Sequence, residues 1–185
     1  MAEERVERRL AAILVADVVG YSRLIEQDEE GTRARLRSLL TEVIDPQITA
    51  DGGRIVKTSG DGILVEFGSV VDAVRNALTI QKKMSGRDAK LPEDNRIKFR
   101  VGINLGDVIV EGDDIHGDGV NMAARLEGLC APGEVYVSGT VRDHVEGKLN
   151  AVFDDLGEQS VKNIVKPVRV CRVQAEPGTV DSQVA

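Results

Sequence analysis

The chain has 185 residues, 42% of them hydrophobic, which suits one domain with a substantial core and leaves little for a second. A formal charge of −7, with no Trp, two Tyr and three Phe, argues against nucleic acid or an anionic membrane as the main partner, because basic runs and stacking aromatics are both lacking. The N-terminal MAEERVERR is charged and the longest apolar run is short and broken by Asp17, so neither a signal peptide nor a membrane span is expected.

In chain order, Leu10 to Asp17 reads as a buried strand. Leu36, Leu39, Leu40, Val43 and Ile44 recur at helical spacing and predict a helix over roughly 29–49, bent near Pro46 and ended by Asp51-Gly52-Gly53. RIVKT and GILVEF flank an SGDG turn as a hairpin. Ser69 and Asp72 form a capping pattern that opens a helix with Val71, Val74, Leu78 and Ile80 on its apolar face. A polar loop over 86–95 follows. Ile97, Phe99, Val101, Ile103 and Leu105 then alternate as a strand, and 107–111 returns as a second one. A helix carrying Asn121 and Arg125 runs to about Cys130, where Pro132 and Gly133 stop it, and EVYVS, AVFDDL and VRVCRV supply later strands. The expected class is α+β, with helices packed on a largely antiparallel sheet. The expected boundaries are an N-terminal tail over 1–8, one domain over 9–174 and a disordered tail over 175–185. Cys130 and Cys171 show no metal spacing and read as reduced thiols, which suits a cytoplasmic setting. His116 and His144 lie in different segments and read as loop or surface residues.

The chemistry gathers around two acids. Asp17 closes the run LAAILVADVVGYS and Asp61 sits in the turn of IVKTSGDGILVEF, so each carboxylate is placed at a strand end. Gly20, Gly60 and Gly62 beside them let a phosphate approach the backbone. Magnesium takes oxygen ligands and is usually held by one or two carboxylates plus substrate phosphates, so the pair points to a hard divalent cation and to nucleotide chemistry. Taken alone, Asp61 is equally a turn residue. Downstream, DDIHGDGVNMAARLEGL sets Asn121 and Arg125 four apart, an amide and a guanidinium on one helical face. Taken alone, Arg125 reads as a solvated residue paired with an acid such as Glu127.

Four segments in order, ADVVGYS, KTSGDGILVEF, DDIHGDGVNMAARLE and LGEQSVKNIVKPVRVCRV, make the chain resemble the catalytic domain of the class III nucleotidyl cyclases, from about Arg9 to Val173. The resemblance implies a ferredoxin-like βαββαβ core with extra strands and a head-to-tail homodimer with shared active sites. It implies that Asp17 and Asp61, with the carbonyl of Val18, bind two divalent cations, Mg2+ or Mn2+. Asn121 matches the residue that orients the ribose, Arg125 the one that stabilises charge on the α-phosphate, and Lys162 a lysine that binds phosphates. Gly20, Tyr21 and Ser22 fall at substrate-binding positions. Lys57 and Asp114 match the two purine-reading positions. A lysine donor and a carboxylate acceptor complement N1 and N6 of adenine, whereas guanine presents the reverse polarity, so ATP is the expected substrate. In the homodimeric members one chain would supply Asp17 and Asp61, and its partner Lys57, Asp114, Asn121, Arg125 and Lys162. Tyr21 and His116 depart from the aromatic residues common at those places. The resemblance also leaves room for a regulatory domain or partner outside this chain. Alternatives are a guanylate or diguanylate cyclase, the latter disfavoured because SGDGI lacks a GGDEF-type turn, and a nucleotide-binding regulatory module with weak or no catalysis.

Overall fold

Alternation along the first strand decides which side of the sheet each residue serves. The structure, a computed structural model, describes residues 6–160 and 166–176. In β1 (Glu7–Val18), Ala12, Leu14, Ala16 and Val18 pack into the larger of two cores, and Ala11 and Ile13 into the smaller one on the opposite face. β1 pairs antiparallel with β3 (Gly62–Phe67) on one side. On the other side it pairs along its whole length with β4 (Phe99–Glu111), Glu7 opposite Val110 and Val18 opposite Phe99. β2 (Gly53–Ser59) completes the expected hairpin with β3.

Helices connect β1 to β2 and β3 to β4, and the spatial order β2-β3-β1-β4 with antiparallel neighbours is the ferredoxin-like arrangement. β5 (Asp114–His116) folds back on β4. Beyond it, α5 (Asp118–Leu129) crosses over to β6 (Val135–Ser138), which lies parallel to β4. β7 (Ala151–Gln159) and β8 (Val168–Ala175) extend the sheet, so among the described residues it has eight strands in the order β2-β3-β1-β4-β6-β8-β7, with β5 on β4. The α+β class and the largely antiparallel sheet are as the sequence indicates.

Several elements differ in detail. The helix expected over 29–49 is divided into α2 (Glu29–Leu39) and α3 (Asp45–Ala50) by a π-helical turn over Leu40–Ile44, and a short α1 (Tyr21–Gln27) with no counterpart in the sequence reading precedes it. Asp28 caps α2 by accepting a bond from the Gly31 N–H at 2.9 Å. The wide turn precedes Pro46, whose ring would clash with the carbonyl four residues back in a regular helix. In α4 (Val70–Arg87), Ser69 accepts from the Asp72 N–H at 3.3 Å as expected. The buried stripe, however, is Ala73, Val74, Ala77, Ile80 and Met84, while Val71 and Leu78 are only partly buried. Small alanines facing the sheet let the helix lie close, and a reading that favours large apolar residues overlooks them.

Residues 97–111 do not form two strands. Ile97 precedes β4, and β4 continues through Gly106 because β1 pairs with it throughout, Gly106 opposite Ala11. α6 (Gly139–Val145), capped by Ser138, places Val141 and Val145 in the larger core and has no counterpart in the sequence reading. β1 starts at Glu7 and β8 reaches Ala175, slightly past the boundaries read from sequence; residues 177–185, expected as a tail, lie outside the described residues.

One contact fixes α5 on the sheet. A Cβ on Gly102 would lie 2.3 Å from the backbone N of Glu127 and 2.4 Å from the carbonyl O of Ala123, closer than real atoms approach. Gly102→Ala must push α5 off β4, and overpacking of this kind costs about 1–3 kcal/mol. Urea denaturation should show a loss in that range, and an unchanged midpoint would mean that α5 is held elsewhere.

Candidate active site

Asp61 reaches β1 because its turn is tight. Ser59 pairs with Gly62, leaving a two-residue loop in which Gly60 takes a positive φ of 59°, a conformation a side chain would disfavour. From that loop Asp61 Oδ2 accepts a hydrogen bond from the Val18 N–H at 3.0 Å. Its carboxylate is thereby tied to the residue that follows Asp17, and two acids far apart in sequence meet at one end of β1. Gly20 follows in the left-handed conformation with φ 64° and opens α1 without a side-chain cap. The first N–H groups of that helix, at Tyr21 and Ser22, therefore lie just beyond the acids. Tyr21 also packs against the larger core, so part of its ring is structural.

By alternation Asp17 faces the α5 side of the sheet, and directly opposite it in β4 stands Arg100. The guanidinium grips Asp17 with two bonds, Nε to Oδ1 at 3.0 Å and Nη2 to Oδ2 at 2.8 Å. The same Nη2 lies 3.4 Å from Oε1 of Glu127, which α5 brings down from above; that oxygen is buried and has no hydrogen-bond partner. One cation thus serves two half-buried or buried acids, and the two cannot ionise equally. Burial, followed by a hydrogen bond to Asp17 and its charge, pushes Glu127 up to about 8. Burial also acts to raise Asp17, but hydrogen bonds from Glu127 and Arg100 and the Arg100 charge outweigh it, and its pKa falls below the ordinary carboxylate value. Neither Arg100 nor the role of Glu127 was visible in the sequence, since both depend on strand register and helix placement.

Lys57 and Asp114 also meet. Lys57 Nζ lies 3.1 Å from Asp114 Oδ1 across the β2–β5 edge, with both side chains about half exposed. Asp114 holds its carboxyl below the usual range, first through that lysine. Asn121 and Arg125 share an outer face of α5 as their spacing requires, Asn121 exposed and Arg125 partly so, and neither side chain has a partner among the described residues. Glu127 is not the partner of Arg125; two residues on, it points about 200° away around the helix, toward the sheet. Lys162 lies outside the described residues. Cys130 ends α5 and Cys171 lies in β8, both buried. His116 sits 3.1 Å from Glu111, and His144 bonds the Thr140 carbonyl in its own helix, both exposed.

The constellation therefore comes as separate groups: two acids at the end of β1, a lysine and an acid at the sheet edge, and an amide and a guanidinium on the outer face of α5. The family profile described as "Adenylate and Guanylate cyclase catalytic domain" matches residues 4–173. The chain belongs to that family. The diguanylate alternative is thereby set aside. A protein of Rhizobium meliloti (strain 1021) named "Putative adenylate cyclase 3" is 49% identical over 170 residues, 92% of this chain and 29% of that protein. An adenylate cyclase of Streptomyces coelicolor is 36% identical over 135 residues, 73% of this chain and 34% of that protein. The chain thus spans about a third or less of these curated relatives. Among solved structures, an adenylate/guanylate cyclase/hydrolase from Silicibacter pomeroyi superimposes with a TM-score of 0.87 at 46% identity, covering 93% of this chain and all of that one. The adenylyl cyclase CyaB from P. aeruginosa gives 0.81 at 25% identity, covering 93% and 97%. Among the described residues no helix is long and apolar enough to cross a membrane.

The cyclase fold thus buries an acid whose proton it prefers to keep, and this has a consequence for stability. Glu127 has a folded pKa raised from 4.5 to about 8, so its contribution is fully present below about pH 4.5 and is lost as the pH rises through 8. Glu127→Gln removes this proton linkage. In EDTA, urea unfolding should show the variant gaining on the wild type between pH 5 and pH 8.5, and a stability difference that stays constant with pH would contradict the assignment.

Proposed function

We propose that this cyclase domain converts ATP to 3′,5′-cyclic AMP and pyrophosphate, at sites shared between two copies of the chain. The observation that carries the catalytic reading is the meeting of Asp61 with the end of β1 beside Asp17. Among the described residues no cluster of three or more acids, histidines or cysteines is arranged to hold a metal unaided. Two carboxylates are nevertheless the usual protein share of a magnesium site, the substrate phosphates supplying the rest, so the donor set fits. Asp17, Asp61 and the Val18 carbonyl would hold two ions, Mg2+ or Mn2+, which when bound acidify the attacking hydroxyl and neutralise charge on the attacking and leaving oxygens.

The protein's own groups supply orientation and charge. In the reaction the ribose 3′-oxygen forms a bond to the α-phosphorus as the bond to the β-phosphate oxygen breaks; pyrophosphate leaves and the hydroxyl proton is released. Asn121 can hold the ribose through its amide, and Arg125, with no competing partner among the described residues, can place its guanidinium against the charge that builds on the α-phosphoryl group. Lys162 is assigned to the phosphates. Gly20, Tyr21 and Ser22 present backbone at the phosphate end. Lys57 and Asp114, already 3.1 Å apart, offer a donor and an acceptor side by side, which supports adenine over guanine.

Sharing between chains is supported by direction. Glu127 points to the sheet and to Arg100 and Asp17, whereas Asn121 and Arg125 lie on the outer face of α5. This orientation supports a second copy as the source of the other half of the site.

Product analysis after incubation with ATP or GTP and either Mg2+ or Mn2+ tests the reaction; cyclic AMP is expected, and GTP as the preferred substrate would overturn the base assignment. Asp17→Ala, Asp61→Ala and Arg125→Ala should each lower the rate by about 100-fold or more while leaving the fold intact by circular dichroism.

Mixing Asp17→Ala with Arg125→Ala tests the sharing. In a mixed dimer one site collects both lesions and the other has neither, so random pairing should restore part of the activity. Mixed dimers that form without recovering activity would place the whole site in one chain.

A further inference from the structure

We propose that Arg100 is a positioning residue that aims the Asp17 carboxylate at the metal site, and that Glu127 holds Arg100 in place for that purpose. The inference rests on the reading of Asp17 as a metal ligand. Asp17 and Arg100 are direct cross-strand partners in the β1–β4 pairing, so their side chains leave the same face at adjacent points. The guanidinium then meets the carboxylate as a fork, with bonds of 3.0 and 2.8 Å to its two oxygens. A fork fixes the plane of a carboxylate as well as its distance, which a single donor cannot do. An ionised carboxylate has about four lone-pair sites, so the fork leaves room on both oxygens for a cation.

Glu127 supplies the other end of the clamp. Its side chain is only 9% exposed and its Oε1 stands 3.4 Å from Arg100 Nη2. It cannot retreat, because α5 is pressed on β4 at Gly102 with the Glu127 backbone nitrogen at the point of contact. For stability alone the arrangement is poor. Partly exposed ion pairs contribute little, and a buried acid beside an already paired arginine is costly where an apolar residue would fit. Such an arrangement makes sense as a support for Asp17. Groups that bond metal-ligating carboxylates are typically worth 10- to 100-fold in metal affinity.

The test is Mn2+ binding by the full chain in the presence of a non-cyclisable ATP analogue lacking the 3′-hydroxyl, followed by loss of the free-ion electron paramagnetic resonance signal beyond that caused by the analogue alone, with a thermal melt of each sample. Arg100→Gln should weaken Mn2+ binding about 10- to 100-fold at a temperature where the protein remains folded. Arg100→Lys keeps the charge but not the fork, and should recover the melting temperature more fully than the affinity. Glu127→Gln should give a smaller loss of affinity in the same direction, and these two carry the test if Arg100→Gln does not fold. Unchanged Mn2+ affinity with a lowered melting temperature would make the trio merely structural, and tighter binding in Arg100→Gln would make Arg100 a competitor of the cation; either overturns the proposal. Asp17→Asn separates the two levels. If it leaves Mn2+ binding intact, the metal-site reading itself has failed; if it abolishes binding while the Arg100 variants bind normally, only the positioning role has failed.

Discussion

The charged trio at the candidate site and the outer face of α5 both depend on how closely α5 lies against β4. Gly102 permits an approach at which any side chain would overlap the helix backbone. That approach brings Glu127 to Arg100, and the β1–β4 register brings Arg100 to Asp17. It also determines what α5 shows to the outside: with Ala123, Leu126 and Glu127 turned to the sheet, Asn121 and Arg125 must face away from it. One helix therefore packs Glu127 against the acid end of β1 and displays Asn121 and Arg125 on its outer face. The proposed division of the site between two copies rests on this helix geometry.

The sheet has unequal sides. The face that receives α2, α3, α4 and α6 carries the larger core, including Phe67, Phe99, Ile44 and Val141. The α5 face carries a smaller core, in which Val15, Val56, Val110 and Val120 are only partly buried. Asp17 and Arg100 lie on this thinner side, where a carboxylate can keep contact with solvent and with a ligand. On the fully covered side the same pair would be desolvated and could not serve a nucleotide.

Much of this was legible in the sequence because it is local. The SGDG hairpin, the Ser69 cap, the end of α5 at Cys130 and the strand EVYVS each rest on a few adjacent residues whose chemistry dictates the conformation. What the sequence hid was either compensated or non-local. Pro46 indicated a bend, but only packing shows that the chain absorbs it as a π turn rather than a break. The alternation that ends at Leu105 suggested two strands, and twelve-residue β1 joins them by pairing straight through. Of the site, Lys57, Asp61, Asp114, Asn121 and Arg125 could be matched by motif. Arg100 could not, since an arginine in an alternating strand looks like any solvent-facing residue until the partner across from it is known. Glu127 entered only as a possible partner for Arg125, and i to i+2 residues on a helix do not share a face.

The trio of Asp17, Arg100 and Glu127 also divides its protons unequally. Burial works to raise the Asp17 pKa, but hydrogen bonds from Glu127 and then Arg100, with the Arg100 charge, hold it below the ordinary carboxylate range. Glu127, which keeps its proton, stands beside the pair as a neutral neighbour and a donor to Asp17. For the proposed metal site, such a support holds the Asp17 carboxylate ionised and fixed in plane on a rigid pair of strands, so the donor is in place before the ion arrives.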